Sequence, residues 1–183
     1  MLDTNKLNAL NLRTLRFLSQ NPKLTHLLIK DFGSDMSRVE TIINPVLDAP
    51  KRCEVSSFYV QAVTTGRTAF LVTNLPDGCA THVTDTSAGW LIGRDSTCAI
   101  CLADSSISRL HAAIGHRPGE GFYITDVGST NGTRVNGRKL APQKPRPIED
   151  GDLLEFSNLR IEFFVAGHLS MVTEFQDTFS GVA

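Results

Sequence analysis

Apolar positions recur at helical spacing only in the first quarter of the chain. Over residues 3–20, Leu7, Leu10, Leu15, Phe17 and Leu18 share one broad face at about 100° per residue, with Arg13 and Arg16 opposite and Leu12 off the stripe. Asp3 or Thr4 can cap the start of this helix, and Asn21-Pro22 is placed to stop it. A second helix over about 23–31 would bury Leu24, Leu27 and Leu28 and end at the Gly33-Ser34-Asp35 turn. A third opens on a capping box, Ser37 with Glu40, ahead of Val39, Ile42 and Ile43, and Pro45 is expected to close it within about two turns. So short a helical region cannot bury a core alone. It must dock on the rest of the chain, on a second copy or on a partner protein, and the pattern does not choose among these. The first helix lacks tryptophan and carries few lysines on its polar face, so it reads as a packing element rather than a membrane anchor.

The period then changes. Asp48-Ala49-Pro50-Lys51-Arg52 reads as a linker. From Cys53 to Val63 both periods fit, because Phe58, Val60 and Ala62 alternate while Val55, Phe58 and Ala62 keep helical spacing. β-Branched and aromatic enrichment favours a strand, which Thr65-Gly66 could turn into a hairpin with Ala69 to Val72 as an edge extension of a sheet. Beyond it, strands are expected at 68–73, 80–84, 89–93, 99–102, 112–117, 121–126, 133–135, 152–156 and 159–165. Turn signals separate them: Leu75-Pro76-Asp77-Gly78, Pro118-Gly119-Glu120-Gly121, Asn136-Gly137 and Glu149-Asp150-Gly151-Asp152. Ile161, Phe163 and Val165 share a face, as do Phe122 and Ile124, and Trp90 and Ile92, which is what two packed sheets require. Residues 167–183 form a tail of weak pattern, expected to be disordered or loosely docked.

Composition adds mainly exclusions. The chain has 183 residues, 41% hydrophobic and 20% charged, with net charge −1. Charge splits into +2 through residue 66 and −3 beyond it, too little to suggest nucleic-acid or membrane-surface binding. The mild basic excess of the first thirty residues (Lys6, Arg13, Arg16, Lys23 and Lys30 against Asp3) reads as a solvated helix face. No run of eighteen apolar residues and no signal-peptide pattern occurs, so a soluble, cytoplasmic protein is expected. Of the four cysteines, Cys98 and Cys101 have Cys-x-x-Cys spacing, but no second such pair or His-x-x-x-His completes a zinc site. No metal, cofactor or catalytic centre is expected. His26, His82, His116 and His168 are scattered, and no nucleophile elbow or paired carboxylates occur, Asp95, Asp104 and Asp126 each standing alone.

The candidate chemistry lies in three loops. Gly128-Ser129-Thr130-Asn131-Gly132-Thr133 is a glycine-punctuated loop whose short polar side chains can bond their own backbone. Upstream stand Gly93-Arg94, with a permanently charged fork, and Ser108-Arg109-Leu110-His111, with a hydroxyl suited to a phosphate oxygen. Together they read as an anion-binding rim. In this order, and followed by Asn136-Gly137, the series resembles the forkhead-associated (FHA) domain over roughly residues 67–166.

That resemblance implies a mainly β fold, an FHA-type β-sandwich of two antiparallel sheets, after a small N-terminal α-helical region. The expected divisions are 1–50 for the helical region, 51–66 for a linker or added strand, 67–166 for the sandwich and 167–183 for the tail. It also implies binding of a phosphothreonine peptide by Arg94, Ser108, Arg109, Thr130 and Asn131, with Asn131 gripping the ligand's main chain. Gly93, His111, Gly132, Asn136 and Gly137 would support the site, His111 by joining the 105–110 loop to the 128–133 loop rather than by catalysis. Arg134 stands where the family often has an aromatic or apolar residue, and could favour an acidic residue three after the phosphothreonine. The expected role is that of an adaptor in Ser/Thr kinase signalling, whose partner is a phosphothreonine-containing kinase or its substrate and whose helices form a second interaction surface. The alternative is a structural or self-assembling protein that works without phosphate, or a homo-oligomer formed through the helices or by capture of its own phosphorylated Thr14, Thr173 or Thr178. A DNA-binding role for the basic helices is the weakest reading.

Overall fold

The structure, a computed structural model, describes residues 11–75, 82–84 and 86–167. Three helices precede twelve strands among the described residues: α1 (Leu12–Gln20), α2 (Pro22–Phe32) and α3 (Met36–Arg52). One sheet has seven strands in the order β3 (His82–Val83), β2 (Ala69–Thr73), β1 (Tyr59–Thr64), β12 (Leu159–Gly167), β11 (Leu153–Phe156), β8 (Thr133–Val135) and β9 (Arg138–Lys139). The other has five, in the order β10 (Arg146–Ile148), β7 (Gly121–Asp126), β6 (Ala112–Arg117), β4 (Gly89–Gly93) and β5 (Ile100–Cys101).

The two sheets pack face to face, as expected, on a core that includes Val60, Leu71, Trp90, Ile92, Ile114, Phe122, Ile124, Phe156, Ile161 and Phe163. The expectation that both sheets are wholly antiparallel needs one refinement. β1 runs parallel to β12, and β4 parallel to β5. β1 and β12 are the first and last strands among the described residues, so no short hairpin dictates their relative direction.

The helices form a third layer. Phe17, Leu18, Leu24, Leu28, Val39, Ile42, Ile43 and Val46 cluster with Val63, Phe70, Val72 and Ala166 from the outer face of the seven-stranded sheet. Docking is therefore on the chain's own sheet. This explains the ambiguous periodicity of 53–63: β1 is buried along its whole length on both faces, with Val60 and Ala62 in the inter-sheet core and Val63 under the helices. A doubly covered strand loses the alternation that marks a half-exposed one. It does form a hairpin with β2, but it is central in the sheet rather than an edge extension.

Helix boundaries differ from the periodic reading in three places. The proposed caps Asp3 and Thr4, with Leu7 and Leu10, lie outside the described residues; within them, Asn11 caps α1 by accepting from the Thr14 N–H at 2.9 Å. Asp35, not Ser37, caps α3, accepting from the Arg38 N–H at 3.2 Å and the Ser37 hydroxyl at 2.8 Å. Glu40 instead reaches across to Asn11, accepting from its backbone N–H at 2.8 Å and its Nδ2 at 2.9 Å. Third, α3 runs through Pro45 and Pro50 to Arg52, so residues 48–52 are helix and not linker. An interior proline costs about 3 kcal/mol. Burial of Val39, Ile42, Ile43 and Val46 against the sheet, at about 1.5–3 kcal/mol each, opposes the cost of the two prolines, and Ala49 packs on Tyr59 and Phe164.

Polar ties fasten the helical layer to the sandwich. Asp31 of α2 accepts from the Thr65 and Thr68 hydroxyls at 2.6 and 2.7 Å. Arg52 pairs with Asp150 at 2.6 Å and lies 4.1 Å above the Phe164 ring. Buried Glu162 accepts from the backbone N–H groups of Glu54, Val55 and Ser56, fixing the path from α3 into β1. β10 has no counterpart in the periodic reading because it is three residues long with Pro147 at its centre; as an edge strand on β7 it can carry a residue without an N–H.

Thr14 makes a test of the helical layer. It is fully buried and its hydroxyl has no partner among the described residues, so Thr14→Val is expected to leave stability unchanged or raise it by about 1 kcal/mol in urea titration. The same burial removes Thr14 as a phosphorylation site in this fold. Thr173 and Thr178, and the tail they belong to, lie outside the described residues, as do Cys79 and most of the 75–78 turn.

Candidate functional site

β4 delivers Gly93 and Arg94 to one end of the sandwich, where backbone bonds clamp them to the segment before β6. Arg94 N–H donates to the Ser108 carbonyl at 2.9 Å, Asp95 N–H to that of Arg109 at 3.0 Å, and His111 N–H to that of Ile92 at 2.9 Å. A Cβ on Gly93 would collide with the Arg109 carbonyl, so this approach of two backbones requires glycine. Arg94 is exposed; its Nε donates to the Ile107 carbonyl at 3.2 Å, and among the described residues it makes no ion pair.

The 128–133 loop is shaped from within by Asp126, the last residue of β7. This carboxylate is buried, with only 2% of its surface exposed, and accepts from Gly128 N–H (2.9 Å), Ser129 N–H (2.8 Å), the Ser129 hydroxyl (2.6 Å) and the Thr133 hydroxyl (2.8 Å). Burial pushes its pKa up, but the bonds from Ser129, Thr133 and Gly128 outweigh that and hold it below the ordinary aspartate value. The loop closes with the Gly132 N–H donating to the Ser129 hydroxyl at 2.9 Å, Gly132 itself having a φ of +83°.

The two loops meet through three side chains. Thr130 N–H donates to Ser108 Oγ at 3.0 Å, and the two hydroxyl oxygens lie 3.3 Å apart. Asn131 Nδ2 donates to the Ser106 carbonyl at 2.8 Å. His111 is fully buried between the loops, edge-on to Phe156. Its Nδ1 accepts from Ser108 N–H at 3.2 Å, which assigns the ring proton to Nε2, 3.3 Å from the Gly132 carbonyl. Burial lowers its pKa against the opposing influence of that carbonyl and of the Asp126 charge, so the ring is neutral at pH 7. A protonated ring would turn a second N–H toward the Ser108 N–H and push the loops apart.

Arg94, Ser108, Thr130 and Asn131 thus lie on the two adjoining loops, with Gly93, His111 and Gly132 beneath them; Arg109 is held through its carbonyl, which accepts from Asp95 N–H, and is exposed. Asn136 and Gly137 belong instead to the β8–β9 turn, at φ of +51° and +75°; the Asn136 side chain donates to Asp152 at 2.7 Å and accepts from Leu153 N–H at 2.8 Å. Asp126 was legible only as an acidic residue standing alone. Its signal was its spacing, two and three residues before the backbone donors of Gly128 and Ser129, which is that of a side chain bonding its own following turn.

The Cys-x-x-Cys pair lies behind the arginines. Cys98 Sγ donates to the Arg109 carbonyl at 3.4 Å and Cys101 Sγ to that of Arg94 at 3.8 Å; both are free thiols, and burial raises the Cys98 pKa. Among the described residues no cluster of three or more His, Cys, Asp or Glu is placed to hold a metal, and no helix is long and apolar enough to cross a membrane.

Residues 90–157 match the FHA domain family. The chain is 34% identical over 87 residues to kanadaptin of Homo sapiens, which covers 42% of this chain and 12% of that protein's length. It is also 34% identical over 101 residues to the oxoglutarate dehydrogenase inhibitor of Corynebacterium efficiens, covering 49% of this chain and 68% of the relative. Among solved structures, the FHA domain of the CT664 protein from Chlamydia trachomatis is 30% identical, with a TM-score of 0.39, over 46% of this chain and 86% of that one. With a family match across both rim loops and a relative spanned over more than two thirds of its length, the chain belongs to the FHA domain family.

Proposed function

We propose that the protein is a phosphothreonine-peptide reader serving as an adaptor in Ser/Thr kinase signalling. The observation that carries this reading is the convergence of an exposed Arg94 without an ion pair among the described residues and the paired hydroxyls of Ser108 and Thr130, 3.3 Å apart, on a rim braced by a neutral buried histidine. A phosphothreonine brings about −1.5 to −2 charge and three acceptor oxygens. Arg94 supplies the cation, Ser108 and Thr130 the neutral donors, and Arg109 a further positive group. Asn131, whose amide nitrogen donates to the Ser106 carbonyl at 2.8 Å and to the Ser157 hydroxyl at 3.5 Å, keeps its carbonyl oxygen for the ligand's main chain. The oxoglutarate dehydrogenase inhibitor and the phosphatase 1 regulatory inhibitor subunit homolog of Arabidopsis thaliana are relatives named as regulators of other proteins, which supports a regulatory role here.

Fluorescence anisotropy of the full chain with matched phosphothreonine, phosphoserine and unmodified threonine peptides tests the reading. Phosphothreonine is expected to bind at least about a hundredfold more tightly than threonine, since two charge-assisted bonds contribute about 1.5–3 kcal/mol each. Equal binding of all three would leave the FHA fold without the proposed chemistry. The helices spend their apolar stripe on the seven-stranded sheet, so their part in any second interaction is confined to their polar faces.

A further inference from the structure

Asn131 and Asn136 are each followed by glycine, and an asparagine so placed can modify itself. The backbone nitrogen of the following residue attacks the side-chain Cγ, most readily when that residue is glycine and has no Cβ in the way. A new N–Cγ bond closes a five-membered succinimide. The Cγ–Nδ2 bond breaks, and the amide leaves as ammonia with the proton of the glycine nitrogen. Water then reopens the ring at either carbonyl, leaving aspartate or isoaspartate. Closure requires a free glycine N–H and an asparagine side chain able to turn toward it.

The fold holds the two pairs differently. The Asn136 side chain is tied at both ends, Nδ2 donating to Asp152 at 2.7 Å and Oδ1 accepting from Leu153 N–H at 2.8 Å, and the Gly137 N–H donates to Glu155 at 3.1 Å. Asn131 is exposed and tied at one end only: Nδ2 donates to the Ser106 carbonyl at 2.8 Å and the Ser157 hydroxyl at 3.5 Å, while Oδ1 accepts nothing among the described residues. What restrains the attacking nitrogen is Ser129. Its Oγ accepts from the Gly132 N–H at 2.9 Å and is itself fixed by donating to the buried Asp126 carboxylate at 2.6 Å. We infer that Asn131–Gly132 is a latent self-modification site within the recognition loop, restrained by the Ser129 hydroxyl. Aspartate here sets a carboxylate beside the bound phosphate, which repels it, and isoaspartate lengthens the loop backbone by one methylene. A molecule whose loop opens thus loses its rim with no enzyme acting on it. The chemistry depends on this chain alone; its effect on recognition rests on the phosphothreonine reading above.

The test incubates the full chain at mildly alkaline pH, where the glycine nitrogen loses its proton more readily. Trypsin cuts between the two sites at Arg134, so peptide mass spectrometry follows each asparagine separately in one sample, and isoaspartyl methyltransferase labelling identifies the isoaspartate. In the folded parent Asn131 is expected to modify ahead of Asn136, and in concentrated urea both at similar rates. Ser129→Ala should speed Asn131 about threefold to tenfold, the gain in free N–H expected from losing one neutral hydrogen bond, while Asn136 keeps its parent rate. The Gly132 N–H of the parent should also be protected from hydrogen exchange, a measurement that needs no variant. An unprotected Gly132 N–H, an unchanged Asn131 rate in Ser129→Ala, equal acceleration at both asparagines, or Asn136 modifying first in the folded parent overturns the inference. The modified chain, separated on anion exchange by its added negative charge, should bind a phosphothreonine peptide at least about tenfold more weakly than the parent. Equal binding overturns the effect on recognition. A parent that binds no phosphothreonine peptide overturns the phosphothreonine reading and leaves the modification standing.

Discussion

Arg94→Ala is expected to weaken phosphothreonine-peptide binding by about a hundredfold or more, to the level of the unphosphorylated peptide. Among the described residues the guanidinium has one hydrogen bond, from Nε to the Ile107 carbonyl at 3.2 Å, and its side chain is exposed. Stability should therefore change by no more than about 0.5–1 kcal/mol, and a loss of binding cannot be assigned to unfolding. Two charge-assisted bonds to a phosphate account for about 3 kcal/mol or more, and each 1.4 kcal/mol is tenfold in affinity. Arg94→Lys keeps the charge but not the planar fork, so it should fall between parent and alanine. Isothermal titration at two salt concentrations checks the account, because the parent's advantage should shrink as ionic strength rises. An alanine variant that still prefers the phosphopeptide a hundredfold would move the phosphate to another part of the surface.

The second large effect is on stability. Asp126→Ala removes the acceptor of four hydrogen bonds from within the fold, leaving the Gly128 and Ser129 N–H groups and the buried Thr133 hydroxyl without their partner. Each buried donor left unpaired costs about 1–3 kcal/mol, so a total loss of about 3 kcal/mol is expected, a fall in melting temperature of about 6–12 °C for a chain of this size. Phosphopeptide binding should fall as well, since Thr130 and Asn131 hang from the loop that Asp126 shapes, and this separates it from Arg94→Ala, where binding falls alone. The pH dependence has a definite sign. The Asp126 pKa is lower in the fold than the unfolded value of about 3.9, so its contribution is complete above about pH 4 and is lost as pH falls through the lower folded value. His111 is also shifted down, from about 6.5, so neutral His111 favours the fold above about pH 6.5 and that contribution is lost as pH falls through its folded value. Thermal melts from pH 8 to pH 3 should show the parent losing stability at both stages, and Asp126→Ala losing less at the lower one, where Glu162, held down by its backbone N–H partners, still titrates. Identical acid profiles would remove Asp126 from this account.

Where local period and burial agreed, the chain was legible. The strands at 89–93, 112–117, 121–126 and 133–135 were read at their observed limits, because each has one face in the inter-sheet core and a turn at its end. The reading failed where a strand or helix is covered in a way that neighbouring residues do not record. β1 lost its alternation under two layers, and α3 continued through two prolines because the sheet rewards burial of Val46 and Ala49. The site divided in the same way. Its arginine, hydroxyls and glycines were legible as residue types at family spacing, whereas the role of Asp126 depends on the loop its side chain bonds from within.

By itself, then, the sequence determined the chemistry on offer: a fork-bearing arginine after a strand, a serine three residues before a histidine, and a glycine-bracketed Thr-Asn loop, each set by local backbone needs. Only the tertiary structure decided that these meet. The meeting depends on backbone bonds between β4 and the 105–111 segment, and on one buried imidazole joining Ser108 to Gly132, contacts between residues more than ten positions apart. It also decided that the helices cover the chain's own sheet, because Val63, Phe70 and Val72 reach the outer face only once β1 and β2 have paired. Side-chain period is a property of one strand, but which strands lie side by side is a property of the whole core.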